Sequence, residues 1–233
     1  MSEPRFWLIV PAAGIGQRMQ AECPKQYLKI AGRCVLDITL SRLLASGRFA
    51  GCMVPLSAVD QWWPDTEASR DPRIRTCTGG VERADSVLAA LRALAGDVRS
   101  DDWVLVHDAA RPCLRASDLE NLVARVQHHP VGGLLATPVA DTLKKAGPGP
   151  LPEVIETTDR SQLWRALTPQ MFRYSLLMNA LETAISEGRR VTDESSALEF
   201  SGKMPVLVEG RPDNLKITVP ADLALAGFIL GQV

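Results

Sequence analysis

Short, β-rich apolar runs alternate along the chain with stretches whose apolar positions recur every three or four residues. The first kind predicts β-strands at Phe6–Val10, Gly51–Val54, Arg73–Cys77, Trp103–His107, Gly133–Thr137, Met204–Val208 and Leu215–Val219. Several are apolar at neighbouring rather than alternate positions, as in strands covered on both faces. The second kind predicts amphipathic helices. Leu36, Leu40, Leu43 and Leu44 form one stripe, closed by Gly47, and Val87, Leu88, Leu91 and Leu94 form another, closed by Gly96. Ser117 and Glu120 read as a capping box ahead of Leu119, Leu122, Val123 and Val126. Leu177, Leu181, Ala184 and Ile185 end at Gly188, and Pro220 suits the first turn of a last helix. Strands alternating with helices in this way predict an α/β fold, a doubly wound and mostly parallel sheet.

One stretch breaks the rhythm. Residues 139–160 carry little helical period, and Gly147-Pro148-Gly149-Pro150 stands in their middle, so two extended arms around a turn are expected to project as a hairpin.

Composition narrows the function classes. The 233 residues hold 26 basic and 27 acidic side chains, a net charge of −1, without the basic excess of a nucleic-acid-binding surface. The five cysteines, Cys23, Cys34, Cys52, Cys77 and Cys113, have no metal-ligand spacing and fit thiols in a reducing compartment. No apolar run approaches the ~20 residues of a membrane span, and the N-terminus carries no secretory pattern. A cytoplasmic protein without membrane or nucleic-acid partners is expected.

The candidate chemistry begins at Leu8-Ile9-Val10-Pro11-Ala12-Ala13-Gly14-Ile15-Gly16-Gln17-Arg18-Met19. A strand delivers the chain to small residues, whose amides can face an anion as in phosphate-binding nests. The loop is not a dinucleotide fingerprint. Met19 fills the third glycine position, and the acidic residue expected about 20 residues on to hold a ribose has no good candidate, because Asp37 lies inside an amphipathic helix. Nor is it a G-x-x-x-x-G-K-[ST] loop. Two cations change its meaning: Arg18 within it, and Lys25 after Pro24 in Cys23-Pro24-Lys25-Gln26-Tyr27. Phosphoryl-type chemistry gathers negative charge on oxygens around phosphorus, and fixed cations stabilise that charge.

P-A-A-G-x-G-x-R-M followed by P-K-Q-Y resembles the signature of the sugar-phosphate cytidylyltransferases. Further segments fit the same family in the same order. They are Gly79-Gly80-Val81-Glu82-Arg83-Ala84-Asp85-Ser86-Val87, His107-Asp108-Ala109-Ala110-Arg111-Pro112, Asp141-Thr142-Leu143-Lys144, Thr158-Asp159-Arg160, Ala166-Leu167-Thr168-Pro169-Gln170, Val191-Thr192-Asp193-Glu194-Ser195-Ser196 and Asn214-Leu215-Lys216-Ile217-Thr218. The match is closest to members that use 2-C-methyl-D-erythritol 4-phosphate, in the non-mevalonate route to isoprenoids.

The resemblance covers nearly the whole chain. It implies one nucleotidyltransferase domain of Rossmann-like fold over 1–233, and transfer of a cytidylyl group from CTP with release of pyrophosphate. It also implies roles residue by residue. Pro11, Ala12, Ala13, Gly14, Ile15 and Gly16 would wrap the triphosphate. Arg18 and Lys25 would stabilise the transition state, and Gly79, Gly80, Arg83, Ser86, Asp108 and Ala109 would complete the CTP site. Asp108, Arg111, Thr142, Arg160, Thr168, Thr192 and Lys216 would hold the polyol phosphate. The 139–160 arm would form a homodimer and complete the neighbouring site, and Mg2+ would come mainly on the CTP phosphates, with no protein ligand assigned. Val81 stands where several relatives carry an acidic residue, so no side-chain contact is assigned there. Without the resemblance, Thr192 reads simply as a helix N-cap.

Two alternatives stay open at this stage, a ribitol 5-phosphate cytidylyltransferase and a nucleotide-binding protein without catalysis. Ala110 leans towards the methylerythritol enzymes, and the pairing of Arg18 with Lys25 argues for catalysis. His107 reads as a buried strand end, His128 and His129 as the close of a helix, and Trp62-Trp63 as a loop anchor.

Overall fold

The computed structural model describes residues 3–14 and 23–232. Strand β1 (Phe6–Ile9) leads into the glycine loop. A short antiparallel pair, β2 (Lys29–Ile30) and β3 (Arg33–Cys34), follows, then α1 (Val35–Leu44), β4 (Phe49–Leu56), β5 (Ile74–Thr78) and α2 (Arg83–Leu94). Next come β6 (Trp103–Val106), α3 (Ala116–Val126), β7 (Gly132–Pro138), β8 (Leu143–Ala146) and β9 (Val154–Thr158). The chain ends with β10 (Trp164–Arg173), α4 (Tyr174–Ser186), α5 (Glu194–Phe200), β11 (Val206–Glu209) and α6 (Pro220–Leu230).

Among the described residues, seven strands make one sheet in the order β11-β7-β10-β6-β1-β4-β5. The pairs β1–β4, β1–β6, β4–β5 and β11–β7 are parallel, and β10 runs antiparallel to β6 and β7. The consecutive apolar residues of β1 and β6 now have their reason. Leu8, Val10 and Leu105 join a core under α1 and α3, with Leu36, Leu40, Leu43, Leu119 and Leu122. Trp7, Ile9, Val104 and Val106 face the opposite layer, with Val87, Leu91 and Leu94 of α2 and Leu177 and Leu181 of α4. Strand neighbours point to opposite faces, so a sheet sandwiched between helices needs apolar residues at every position.

Three expectations are corrected, and one strand had no counterpart among them. Leu215–Val219 is not a strand. It joins no strand of the sheet: Ile217 N donates to the Ala110 carbonyl at 2.8 Å, and Pro220 starts α6 at once. Ile217 packs with Ala226 beneath α6, while Lys216 and Thr218 face a cleft. The expected Met204–Val208 strand starts two residues later. The proposed capping box is displaced, because α3 begins at Ala116 with Arg115 as its N-cap and Ser117 lies within the first turn. Finally, β10 carries no strand pattern that sequence reading recognised. Pro169 cannot donate to a ladder, and the β10–β7 register shifts between Ala166 and Gln170, around the cis Thr168–Pro169 peptide.

The irregular stretch does form a hairpin, with β8 and β9 paired antiparallel outside the main sheet. Leu151, Val154 and Ile155 stand exposed on it.

Candidate active site

The site gathers at the carboxyl ends of the central parallel strands, where open α/β sheets bind ligands. Leaving β1, the chain stays pinned to β4 through Val10 N to the Met53 carbonyl (3.0 Å) and Ala12 N to the Pro55 carbonyl (2.9 Å). The Ala12 amide is therefore spent inside the protein. Gln26, a residue that sequence reading gave no role, is buried and donates from Nε2 to the carbonyls of Ala12 (2.6 Å) and Gly14 (3.0 Å). These bonds fix the carbonyls inward and brace the loop from behind.

Gln26 belongs to a single 3-10 turn, Lys25–Tyr27, that follows Pro24. Its far end is anchored twice: the Tyr27 hydroxyl donates to Asp60 Oδ2 (2.8 Å), and the Tyr27 ring stacks on Trp62 at 5.8 Å. Trp62 is thus the loop anchor expected of it. Lys25 Nζ reaches the Ile217 carbonyl at 3.0 Å and lines the cleft above the loop. Ile15, Gly16 and Arg18 lie outside the described residues.

The second glycine turn packs directly against the first. A Cβ on Gly79 would fall 2.6 Å from the Ala13 Cβ and 2.9 Å from Ser86 Oγ, so only glycine fits without displacing the loop. Ser86 Oγ accepts from Gly80 N (3.1 Å) and stands 3.1 Å from the Glu82 carbonyl. The hydroxyl holds the turn. The start of α2 is closed by Glu82 N donating to Asp85 Oδ2 at 3.0 Å. Val81 is fully exposed at the cleft edge.

Asp108, just past β6, is the electrostatic centre. Its Oδ1 accepts from Arg83 Nε at 3.0 Å, and its Oδ2 meets Arg111 Nε at 3.1 Å and Lys216 Nζ at 3.0 Å. Burial opposes ionisation of this carboxyl, but Arg83, Lys216 and Arg111 outweigh it and hold it far below the usual carboxylate range. The remaining nitrogens of Arg83 form a fork on Glu194, Nη1 to Oε1 at 2.6 Å and Nη2 to Oε2 at 3.1 Å. Burial pushes the Glu194 carboxyl up, yet both oxygens accept from one guanidinium, the arrangement of the ionised form. Arg83 is kept charged against its own burial by Glu194 and Asp108.

A buried polar chain fixes Asp108 from below. Its backbone N–H donates to Thr168 Oγ1 (3.1 Å), which stands 3.0 Å from His107 Nδ1, while His107 Nε2 stands 3.0 Å from the Arg111 carbonyl. An acceptor carbonyl at Nε2 requires the proton there, so Nδ1 accepts from the Thr168 hydroxyl. Burial pushes His107 down to about 4, which keeps the ring neutral. Asn214, also buried, donates Nδ2 to the Thr168 carbonyl (2.7 Å), and its main-chain carbonyl accepts from Arg111 Nη1 (2.7 Å).

Two adjoining clefts result. The larger, ≈ 570 Å³, is lined by Pro11 to Gly14, Lys25, Gly80, Arg83, Ser86, Asp108, Ala109 and Lys216, among others. The smaller, ≈ 280 Å³, is lined by Arg111, Thr168, Gln170, Thr192 and Asp193. Arg83, Asp108 and Lys216 border both. Most of the expected site residues are thus brought together around one junction. Gly79 stands behind the larger cleft rather than in its lining. Thr142 and Arg160 line neither cleft and are exposed at the ends of the hairpin arm. Thr192 precedes the α5 N-cap, which is Asp193.

Among the described residues, no cluster of three or more His, Cys, Asp or Glu side chains could hold a metal ion. No helix there is long and apolar enough to cross a membrane. Gln26, Glu194, His107, Gln170 and Asn214 were not anticipated as site residues. Their types carry no motif of their own, although all five lie inside segments that bear one.

The family model described as 2-C-methyl-D-erythritol 4-phosphate cytidylyltransferase matches residues 6–232. A protein of that name from Ectopseudomonas mendocina is 54% identical over 221 residues, covering 94% of this chain and 93% of the relative. One from Serratia proteamaculans is 51% identical over 230 residues, covering 99% and 96%. A crystal structure of 4-diphosphocytidyl-2C-methyl-D-erythritol synthase superposes with a TM-score of 0.84 at 35% identity, over 99% of this chain and 100% of the other. The Francisella tularensis enzyme does so with a TM-score of 0.84 at 34% identity, over 97% and 99%.

Proposed function

This chain belongs to the 2-C-methyl-D-erythritol 4-phosphate cytidylyltransferase family, and from that premise we propose that it transfers the cytidylyl group of CTP to 2-C-methyl-D-erythritol 4-phosphate. The products are 4-diphosphocytidyl-2-C-methyl-D-erythritol, an isoprenoid precursor, and pyrophosphate. The observation that carries the reading is the junction itself: two clefts of unequal size share Arg83, Asp108 and Lys216.

CTP takes the larger cleft, its triphosphate along Ala12 to Gly16 and its base towards Gly80 and Ser86. The acceptor takes the smaller cleft against Arg111, Thr168, Thr192 and Lys216. An acceptor phosphate oxygen forms a bond to the α-phosphorus while the bond from that phosphorus to the β-bridging oxygen breaks, and pyrophosphate leaves. A phosphate monoester is already largely dianionic at neutral pH, its second pKa being about 6. No general base is required. The site agrees with this, since its histidine is neutral and bonded at both nitrogens and its central carboxylate is committed to three cations. Lys25 and Arg18 counter the charge that builds on the α- and β-phosphate oxygens. Glycine-loop contacts, Arg18 and the polyol contacts are roles taken from the family's pattern.

Both Asp108 oxygens already accept from cations, so the protein's own donor set does not suit a resident metal. Mg2+ enters this reading on the CTP phosphates, which supply the hard oxygen ligands.

The arm completes the picture as a dimerisation element. Val154 and Ile155 are 62% and 60% exposed although strand neighbours point to opposite faces, so the ribbon is uncovered on both sides. Seating it on a second copy would bury those residues and carry Thr142 and Arg160 to that copy's smaller cleft. A cytoplasmic location fits the soluble phosphorylated substrates.

The test is pyrophosphate release from CTP with 2-C-methyl-D-erythritol 4-phosphate and, separately, with ribitol 5-phosphate. Turnover with the first alone is expected. Turnover with ribitol 5-phosphate at equal kcat/KM would overturn the acceptor assignment, and turnover with neither would overturn the activity.

A further inference from the structure

We infer that Glu194 is a positioning residue for the transfer, acting on the junction of the two clefts through Arg83; the inference rests on the activity proposed above. Glu194 is 1% exposed and lines neither cleft, so it does not touch a substrate seated there. Yet it takes two of the three guanidinium nitrogens of Arg83, at 2.6 and 3.1 Å, and leaves Nε to Asp108 at 3.0 Å. A guanidinium held by Asp108 alone would keep rotational freedom about that single bond. Held at both edges, it is fixed where Arg83 borders both clefts.

The carboxylate is itself placed by the sheet. Glu194 is the first residue of α5, whose N-cap Asp193 accepts from Ser196 N at 2.9 Å. Gln170 of β10 ties this end down, accepting from Ser195 N (2.9 Å) and donating to Asp193 Oδ2 (2.8 Å). One rigid connection therefore runs from β10 through Glu194 and Arg83 to Asp108, and from there to Lys216 and Arg111.

Stability is a poor explanation for this pair. Burying two charges costs desolvation that their attraction often fails to recover, and neutral replacements of buried pairs are frequently as stable. The charge alternation Glu194, Arg83, Asp108, Lys216 does have a use in the reaction. It lets a cation stand at the junction while Asp108 keeps a fixed place between the substrates.

Four proteins decide the matter: wild type, Glu194→Gln, Arg83→Gln, and the double variant, which pairs two neutral amides. Each is assayed by pyrophosphate release for kcat and both KM values, with its thermal midpoint measured alongside. Glu194→Gln should lower kcat by on the order of 10²-fold, the scale of a slight misplacement of reacting groups, with KM for CTP changed by no more than about twofold. The double variant should be no slower than Arg83→Gln alone, because Glu194 has nothing left to act through. Losses that multiply in the double variant, or a wild-type kcat in Glu194→Gln, would overturn the inference while leaving the activity intact. If Glu194→Gln does not fold, the comparison of Arg83→Gln with the double variant decides by itself. A wild-type enzyme that releases no pyrophosphate overturns both readings.

Discussion

Lys25 Nζ lies 3.0 Å from the carbonyl of Ile217, the residue next to Lys216. This bond ties the turn after the glycine loop to the segment that supplies the cation at the junction, across 192 residues of sequence. Both lysines line the larger cleft. Lys25→Ala should lower kcat by roughly 10²–10³-fold, the scale of losing one preorganised transition-state contact. CTP binding, followed by calorimetry, should weaken far less. Equal losses in kcat and affinity would mean that Lys25 serves ground-state binding and not the transition state.

Much of this was legible in the residues, and the exceptions share a cause. Strands buried on both faces showed as unbroken apolar runs, so β1, β4 and β6 stood out. β10 was hidden because Pro169 interrupts it, and its partners are chosen by tertiary packing. Leu215–Val219 looked like a strand because apolar and polar residues alternate there. That alternation instead divides Ile217, packed beneath α6, from Lys216 and Thr218 in the cleft. At the site, the motif-bearing residues were readable. The residues that hold them were not: Gln26 works on backbone carbonyls, and Glu194 on a side chain 111 positions away. No spacing rule links such partners.

Gly79→Ala tests how closely the two glycine turns depend on each other. The added methyl would fall 2.6 Å from the Ala13 Cβ and 2.9 Å from Ser86 Oγ. Overpacking of this kind costs about 1–3 kcal/mol, so chemical denaturation should show a loss in that range. The relief available is movement of the triphosphate loop, so KM for CTP should rise on the order of tenfold, equivalent to about 1.4 kcal/mol. An unchanged KM would show that the turns move independently.

The arm can be tested without touching either cleft. Changing Val154 and Ile155 together to aspartate alters two exposed positions, and such changes usually shift the stability of a single chain by no more than about 0.5 kcal/mol. Sedimentation velocity should report a dimer for the wild type and a monomer for the variant. Pyrophosphate release should fall with dissociation, because Thr142 and Arg160 would no longer reach a neighbouring acceptor cleft. A variant that sediments like the wild type and turns over normally would remove the arm from the interface.

His107 sets an acid limit on stability. Its ring is fully buried, and burial lowers it to about 4 from the ordinary value of 6.5. Below pH 6.5 the unfolded chain binds a proton at this ring that the folded chain refuses until about pH 4. The neutral ring's contribution is therefore fully present above pH 6.5 and drains away as the pH falls towards 4. The distance between those two values caps the loss at roughly 3 kcal/mol. In His107→Gln that decline disappears, though the variant starts from lower stability because Thr168 and the Arg111 carbonyl lose their fitted partner. Urea midpoints measured every half unit between pH 7 and pH 4 should thus fall more shallowly for the variant than for the wild type. Parallel curves would mean that the ring accepts a proton in the folded protein, and the network holding Asp108 would then need another tautomer.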